Sequence, residues 1–218
     1  MQYGLTVGEL ARLVTGQNWI SSVPPLKIVP LQGWERSRWW DETDIPWYSP
    51  SPNIPDLETA ILYPGLCLFE GTNVSEGRGT DHPFRWIGAP WIDGKVWAHQ
   101  LLDRRLAGIL FEPVVFTPVD LPGRALNPKY EGQVCQGVQL DVIDRNHFDP
   151  VKTAVVMLTV LREIYPDQFE VNASWLDKLW GSHGLSAFLR QEPGAGQPAW
   201  ESTETEFRQL VRPYLLYP

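Results

Sequence analysis

The chain has 218 residues, 18 basic and 26 acidic, with a formal net charge of −8. With 43% hydrophobic and 20% charged residues, it can bury a core as one large domain or two small ones, which excludes global disorder. No lysine or arginine cluster occurs, which argues against a nucleic-acid or anionic-membrane surface.

Thr6 and Glu9 have the spacing of a capping box, and Val7, Leu10, Ala11 and Val14 follow a helical stripe that Gly16 ends. Leu26-Lys27-Ile28-Val29-Pro30-Leu31 reads as a strand. Residues 33–55 are irregular, with four prolines between Pro46 and Pro55. Trp34, Trp39, Trp40 and Trp47, four of the eleven tryptophans, fall in this stretch. Indole faces stack on sugars or bases, and they also pack cores. Both readings stand for this cluster. A short helix is expected over 56–63, ended by Pro64-Gly65, and a strand over Leu66-Cys67-Leu68-Phe69.

Glu70-Gly71-Thr72-Asn73-Val74-Ser75-Glu76-Gly77-Arg78-Gly79-Thr80 follows. Two carboxylates, a guanidinium, an amide and three hydroxyls crowd this loop among three glycines. Further on, helices are expected from 93 or 94 to about 107, from Asp149-Pro150 to Tyr165, over 174–181, over 184–191 and over 200–211. Strands are expected over 109–117 and 134–142. The loop 118–132 holds three prolines, and the apolar tail Tyr214-Leu215-Leu216-Tyr217 is expected to dock.

Cys67 and Cys135 have no metal or redox spacing, and two buried thiols are preferred to a disulfide. His82, His99, His147 and His183 are scattered, so no metal ligand and no cofactor is expected. The phosphate-loop pattern fails between Gly71 and Gly77 for want of a lysine, and no G-x-S-x-G occurs. Met1-Gln2-Tyr3-Gly4 is not the start of a secretory leader, and no apolar run reaches the roughly 20 residues of a membrane helix. Glu70, Glu76, Asp41 and Glu42 are candidates for an acid–base pair. Arg78 and Arg36 are candidates for an anion, or for an internal ion pair.

The run from Glu70 to Thr80 resembles the NamZ-type exo-β-N-acetylmuramidases. So do Ser51-Pro52-Asn53-Ile54-Pro55, Tyr63-Pro64-Gly65, Pro83-Phe84 and Gly88-Ala89-Pro90-Trp91. The same holds for Tyr3 to Ala11, Trp34-x-Arg36 with Trp40-Asp41-x-Thr43, and the closing tail. The resemblance implies an α/β fold, with residues 1–82 the C-terminal part of a Rossmann-like catalytic domain and 83–218 a smaller C-terminal α/β domain. It implies a peptidoglycan-directed glycoside hydrolase that releases N-acetylmuramic acid from non-reducing ends. Glu70 would be a catalytic carboxylate. Asn73, Ser75, Arg78, Arg36, Asp41 and Trp34 would bind the sugar. Retaining, inverting and substrate-assisted routes all remain open to an acetamido sugar. Family members are nearly twice as long and are often exported. A Pro-Glu-His-Gly-type motif that carries a probable catalytic glutamate in their N-terminal half does not occur in this chain. The expected partners are therefore peptidoglycan fragments, and a separate N-terminal half or a second copy. A non-catalytic sugar-binding module is the alternative.

Overall fold

The computed structural model describes residues 4–22, 24–198 and 200–217. Its fold is mixed α/β: among the described residues it holds seven α-helices and one three-stranded sheet. Two compact units emerge, Trp47–Gln197 and a smaller one made of Gln2–Pro46 with Pro198–Pro218.

In the larger unit, α2 (Leu57–Leu66) is capped by the Asp56 carboxylate, which accepts the Thr59 amide at 2.8 Å. The helix runs through Pro64 and passes into a 3₁₀ turn, Cys67–Gly71. The expected strand over 66–69 is therefore helical. Its four apolar residues are all buried, and so short an apolar run does not separate a buried strand from a buried helix by periodicity.

The sheet has the order β1 (Trp86–Ala89), β3 (Cys135–Val142), β2 (Ile109–Phe116), and both pairings are antiparallel. Ile87, Val138, Leu140, Ile109 and Phe111 are buried, and α3 (Gly94–Asp103) packs against β2 and β3 through Trp97, Ala98 and Leu101. The core helix is α4 (Pro150–Ile164), which starts with Asp149 as cap and proline in its first turn. Ala154, Val155, Met157, Leu158, Val160 and Leu161 on it are wholly buried, because it packs against α2, α3 and α6 at once. Helix α5 (Ala173–Trp180) lies on the 3₁₀ turn at 67–71, and α6 (Gly184–Leu189) follows it.

The smaller unit is built on α1 (Val7–Gly16), with the expected capping box of Thr6 and Glu9. It also holds the 3₁₀ turn Trp40–Glu42, α7 (Trp200–Val211) and a last 3₁₀ turn, Arg212–Tyr214. The C-terminal tail docks on α1 and its surroundings. Gln17 donates to the Tyr214 hydroxyl at 2.9 Å, Arg12 to the Leu215 carbonyl at 3.3 Å, and the Tyr217 hydroxyl accepts the Leu31 amide at 2.8 Å. Residues 26–31 form no strand. A strand needs a neighbour for its backbone groups, and among the described residues none pairs with this segment.

Candidate functional site

The 70–80 loop is held from three sides. Ser75 and Gly88 exchange backbone hydrogen bonds at 2.8 and 3.0 Å, which ties the loop to β1. Asn73 is tied to the segment before α5: its amide donates to the Glu170 carbonyl at 3.1 Å. Its side chain donates to the Gln168 carbonyl at 2.7 Å and accepts the Glu170 amide at 2.9 Å. From the third side comes the loop 118–132. The Val119 amide donates to Gly79 at 2.9 Å, and the Tyr130 hydroxyl to the Asn73 carbonyl at 2.6 Å. Gly79 sits at φ +80° directly beneath Val119 and Pro128, a place with no room for a β-carbon.

Within this frame lies a row of four alternating charges. Lys129 donates to Oε2 of Glu76 at 2.9 Å, and Nε of Arg78 forms an ion pair with Oε1 of Glu76 at 3.3 Å. Nη2 of Arg78 then reaches Oε1 of Glu70 at 3.1 Å. Exposure rises along the carboxylates and the arginine, from 7% for the Glu76 side chain through 19% for Glu70 to 31% for Arg78. The accessible members of the row are its cations, Lys129 at 29% and Arg78, and Arg78 is held between two acids. The central carbon of its guanidinium stands 5.1 Å from the centre of the buried Phe84 ring, and that ring meets Tyr63 edge-on at 4.9 Å. Burial pushes the Tyr63 phenol up, and neighbouring Cys67 and Glu70 add to the shift.

The hydroxyls of the loop serve its own backbone. Thr72 donates to the Phe69 carbonyl at 2.9 Å, Thr80 to Gly77 at 2.7 Å, and Ser75 accepts the Gly77 amide at 3.2 Å. Ser75 is buried. Of the residues expected from sequence in this unit, Glu70 and Arg78 come together. The side-chain amide of Asn73 and the hydroxyl of Ser75 are engaged with backbone. Lys129 was missed, since its contacts lie 53 to 60 positions away and nothing local marks it.

In the smaller unit, Nη2 of Arg36 pairs with the buried Glu9 at 2.6 Å, and Nη1 bonds to the Gly4 carbonyl. Arg36 also stands 5.8 Å from the Trp34 ring centre, and Trp34 meets Tyr217 edge-on at 4.7 Å. The internal ion pair weighed for Arg36 is therefore present. Asp41 is exposed, in the first turn of the 3₁₀ segment Trp40–Glu42.

Two other groupings carry no chemistry. Cys67 and Cys135 are free and buried, and burial raises both thiols, that of Cys135 to about 11, so neither is a thiolate near neutrality. Ser186, His183 and Asp177 cluster at the α5–α6 corner, but Ser186 is fully buried and its hydroxyl donates to Asp177, so it is no nucleophile. Among the described residues no group of three or more His, Cys, Asp or Glu is arranged to hold a metal, and no helix is long and apolar enough to cross a membrane.

The exo-β-N-acetylmuramidase NamZ C-terminal family profile matches residues 61–217, and the N-terminal profile matches residues 1–58. The chain belongs to the NamZ exo-β-N-acetylmuramidase family. Its similarity to the peptidoglycan β-N-acetylmuramidase NamZ of Bacillus subtilis is 34% identity over 220 residues, covering 100% of this chain and 51% of that protein. Crystal structures of two DUF1343-family proteins of Bacteroides fragilis share the fold. One has a TM-score of 0.84 at 26% identity and covers 99% of this chain and 57% of its own. The other has a TM-score of 0.72 at 28% identity and covers 98% and 56%. The chain spans about half the length of these relatives.

Proposed function

We propose that this chain is the C-terminal portion of a glycoside hydrolase that acts on peptidoglycan and releases N-acetylmuramic acid from non-reducing ends when complete. The observation that carries the reading is Arg78, held between Glu70 and Glu76 and still 31% exposed. N-Acetylmuramic acid carries a lactyl carboxylate, and a guanidinium with spare donors in a partly buried setting recognises a carboxylate. Glu70, the more exposed of the two acids that flank that arginine, is the carboxylate proposed to serve acid–base chemistry. Asn73 and Ser75 are proposed to shape the sugar site, and Arg36, Asp41 and Trp34 are proposed as sugar-binding residues of the smaller unit. For Asn73 and Ser75 that role runs through the backbone they hold, and Arg36 acts with Glu9 attached. Residues 1–82 are proposed to be the C-terminal part of a Rossmann-like domain, and 83–218 a smaller C-terminal α/β domain.

The test is Glu70→Gln in the complete assembly, this chain together with the half its relatives possess. Loss of a positioned acid or base is worth about 10²–10⁴-fold in rate. Hydrolysis of a chromogenic muramide should fall by at least ~100-fold, and an intact rate would remove Glu70 from the chemistry.

A second reading concerns the partner, and exposed apolar side chains favour it. Val7 on α1 is 80% exposed and Val29 is 83% exposed, and Trp19, Ile20, Leu26 and Leu31 are exposed as well. So many exposed apolar side chains within residues 7–31 favour an interaction surface. The occupant proposed is the missing half of the family architecture as a separate polypeptide. Co-expression of the two halves should yield a stable complex. A monodisperse monomer with cooperative unfolding, unchanged by the added half, would count against it.

A further inference from the structure

We infer that Lys129 is the positioning residue of this site: by fixing and neutralising Glu76, it keeps the outer donors of Arg78 available to the carboxylate of an acidic sugar. The inference rests on the reading of the site as one for muramic-acid sugars.

An ammonium has three N–H groups. Those of Lys129 have the Phe69 carbonyl at 2.8 Å, the Val74 carbonyl at 3.0 Å and Glu76 at 2.9 Å as acceptors. No donor is left for a ligand, so Lys129 acts through its neighbours. Glu76 in turn gives one oxygen to Lys129 and the other to Nε of Arg78. Arg78 faces Glu76 with Nε as an ion pair and gives one Nη2 donor to Glu70, and the other three of its five N–H groups face neither acid.

Charge arithmetic explains why the lysine matters. Glu70, Glu76, Arg78 and Lys129 sum to zero. Without Lys129 they sum to −1, which repels a carboxylate ligand. Glu76, almost without solvent, would then have one oxygen unpaired and would draw Arg78 into a two-point pair, turning its remaining donors inward. A neutral sugar would notice neither change. The lysine is presented firmly, since the next residue, Tyr130, is anchored to the Asn73 carbonyl.

The experiment titrates the folded chain with N-acetylmuramic acid and with N-acetylglucosamine, which lacks the lactyl carboxylate. It compares wild type, Lys129→Arg, Lys129→Met, and Lys129→Met combined with Glu76→Gln. Wild type should prefer the acidic sugar by at least ~10-fold, the size expected of one charge-assisted carboxylate contact. Lys129→Met should bring that preference to about one with little change for the neutral sugar, and Lys129→Arg should retain most of it. Adding Glu76→Gln to Lys129→Met restores the zero charge sum, and should restore both the preference and any stability lost with the lysine. A folded Lys129→Met chain with unaltered preference overturns the inference. So does equal loss for both sugars without rescue, the mark of a merely structural tie. If wild type shows no preference, the muramic-acid reading fails instead. Lys129 is then judged by hydrogen exchange at Nε of Arg78 without ligand. Slower exchange in Lys129→Met, the mark of Arg78 drawn onto Glu76, upholds the positioning role, and unchanged or faster exchange overturns it.

Discussion

The backbone amide of Leu216 donates to the carboxylate of Glu9 at 2.8 Å across 207 positions of sequence. Arg36 reaches the same oxygen at 2.6 Å, and the Thr6 amide takes the other at 2.7 Å. One buried carboxylate thus gathers the start of α1, the Trp34–Arg36 segment and the C-terminal tail of the smaller unit. Burial alone would raise the Glu9 pKa. The Leu216 and Thr6 amides, and then Arg36, outweigh it and bring the carboxyl from 4.5 to about 2. A depressed folded pKa contributes stability that is complete above 4.5 and is lost as pH falls through the folded value. The shift corresponds to about 3 kcal/mol. Glu9→Gln should therefore destabilise the smaller unit by about that amount at pH 7 and flatten its stability between pH 4.5 and 2. Urea unfolding followed by tryptophan fluorescence measures both, and an acid profile identical to wild type would refute the clamp.

At the α5–α6 corner the sign is reversed. His183 Nδ1 faces Asp177 at 2.9 Å and Nε2 faces Glu192 at 3.2 Å; Ser186 lies 3.1 Å from Nδ1, and Arg190 pairs with Glu192 at 3.4 Å. The Asp177 hydrogen bond, then that of Glu192, raise the His183 pKa above 6.5. A raised folded pKa gives stability that is full below the unfolded value and lost as pH rises through the folded one. Amides of α5 and α6 should lose protection, beyond the intrinsic rate change, as pH rises above neutrality. In His183→Gln that excess should vanish. Hydrogen exchange read by mass spectrometry at pH 6 and pH 8.5 decides it, and an excess that persists in the variant excludes His183 as its source.

The elements that proved legible carry local signals: the Thr6–Glu9 capping box, Asp149-Pro150 at the head of α4, and the alternation that places Val138 and Leu140 inward on β3. Misreadings fell where the deciding term is tertiary. Leu66 to Phe69 is apolar on every side because α4 and α5 cover it, and such a run looks alike as strand or helix. Residues 26–31 have strand composition but no neighbour to pair with. In the candidate site, the dense polar loop was visible because glycines and charged groups are concentrated in eleven residues. The tasks of its side chains were not, since the partners of Asn73 and Glu76 come from 168–170 and from Lys129, with no local trace of either.

Gly79 offers a last test, because two loops meet on it. At φ +80° a β-carbon would stand 2.6 Å from the Val119 carbonyl and 2.7 Å from Cγ of Pro128. Gly123, in the same 118–132 loop, has φ +81° but nothing within 4 Å. Alanine at either position incurs the left-handed backbone penalty of about 1 kcal/mol. Only Gly79→Ala adds the clash, which pushes Val119 and Pro128 away and carries Lys129, next to Pro128, off Glu76. Gly79→Ala should therefore destabilise the larger unit by about 2–3 kcal/mol, against about 1 kcal/mol for Gly123→Ala. Only the former should open 118–132 to limited proteolysis. Equal effects of the two substitutions would mean that the loop is not seated through Gly79.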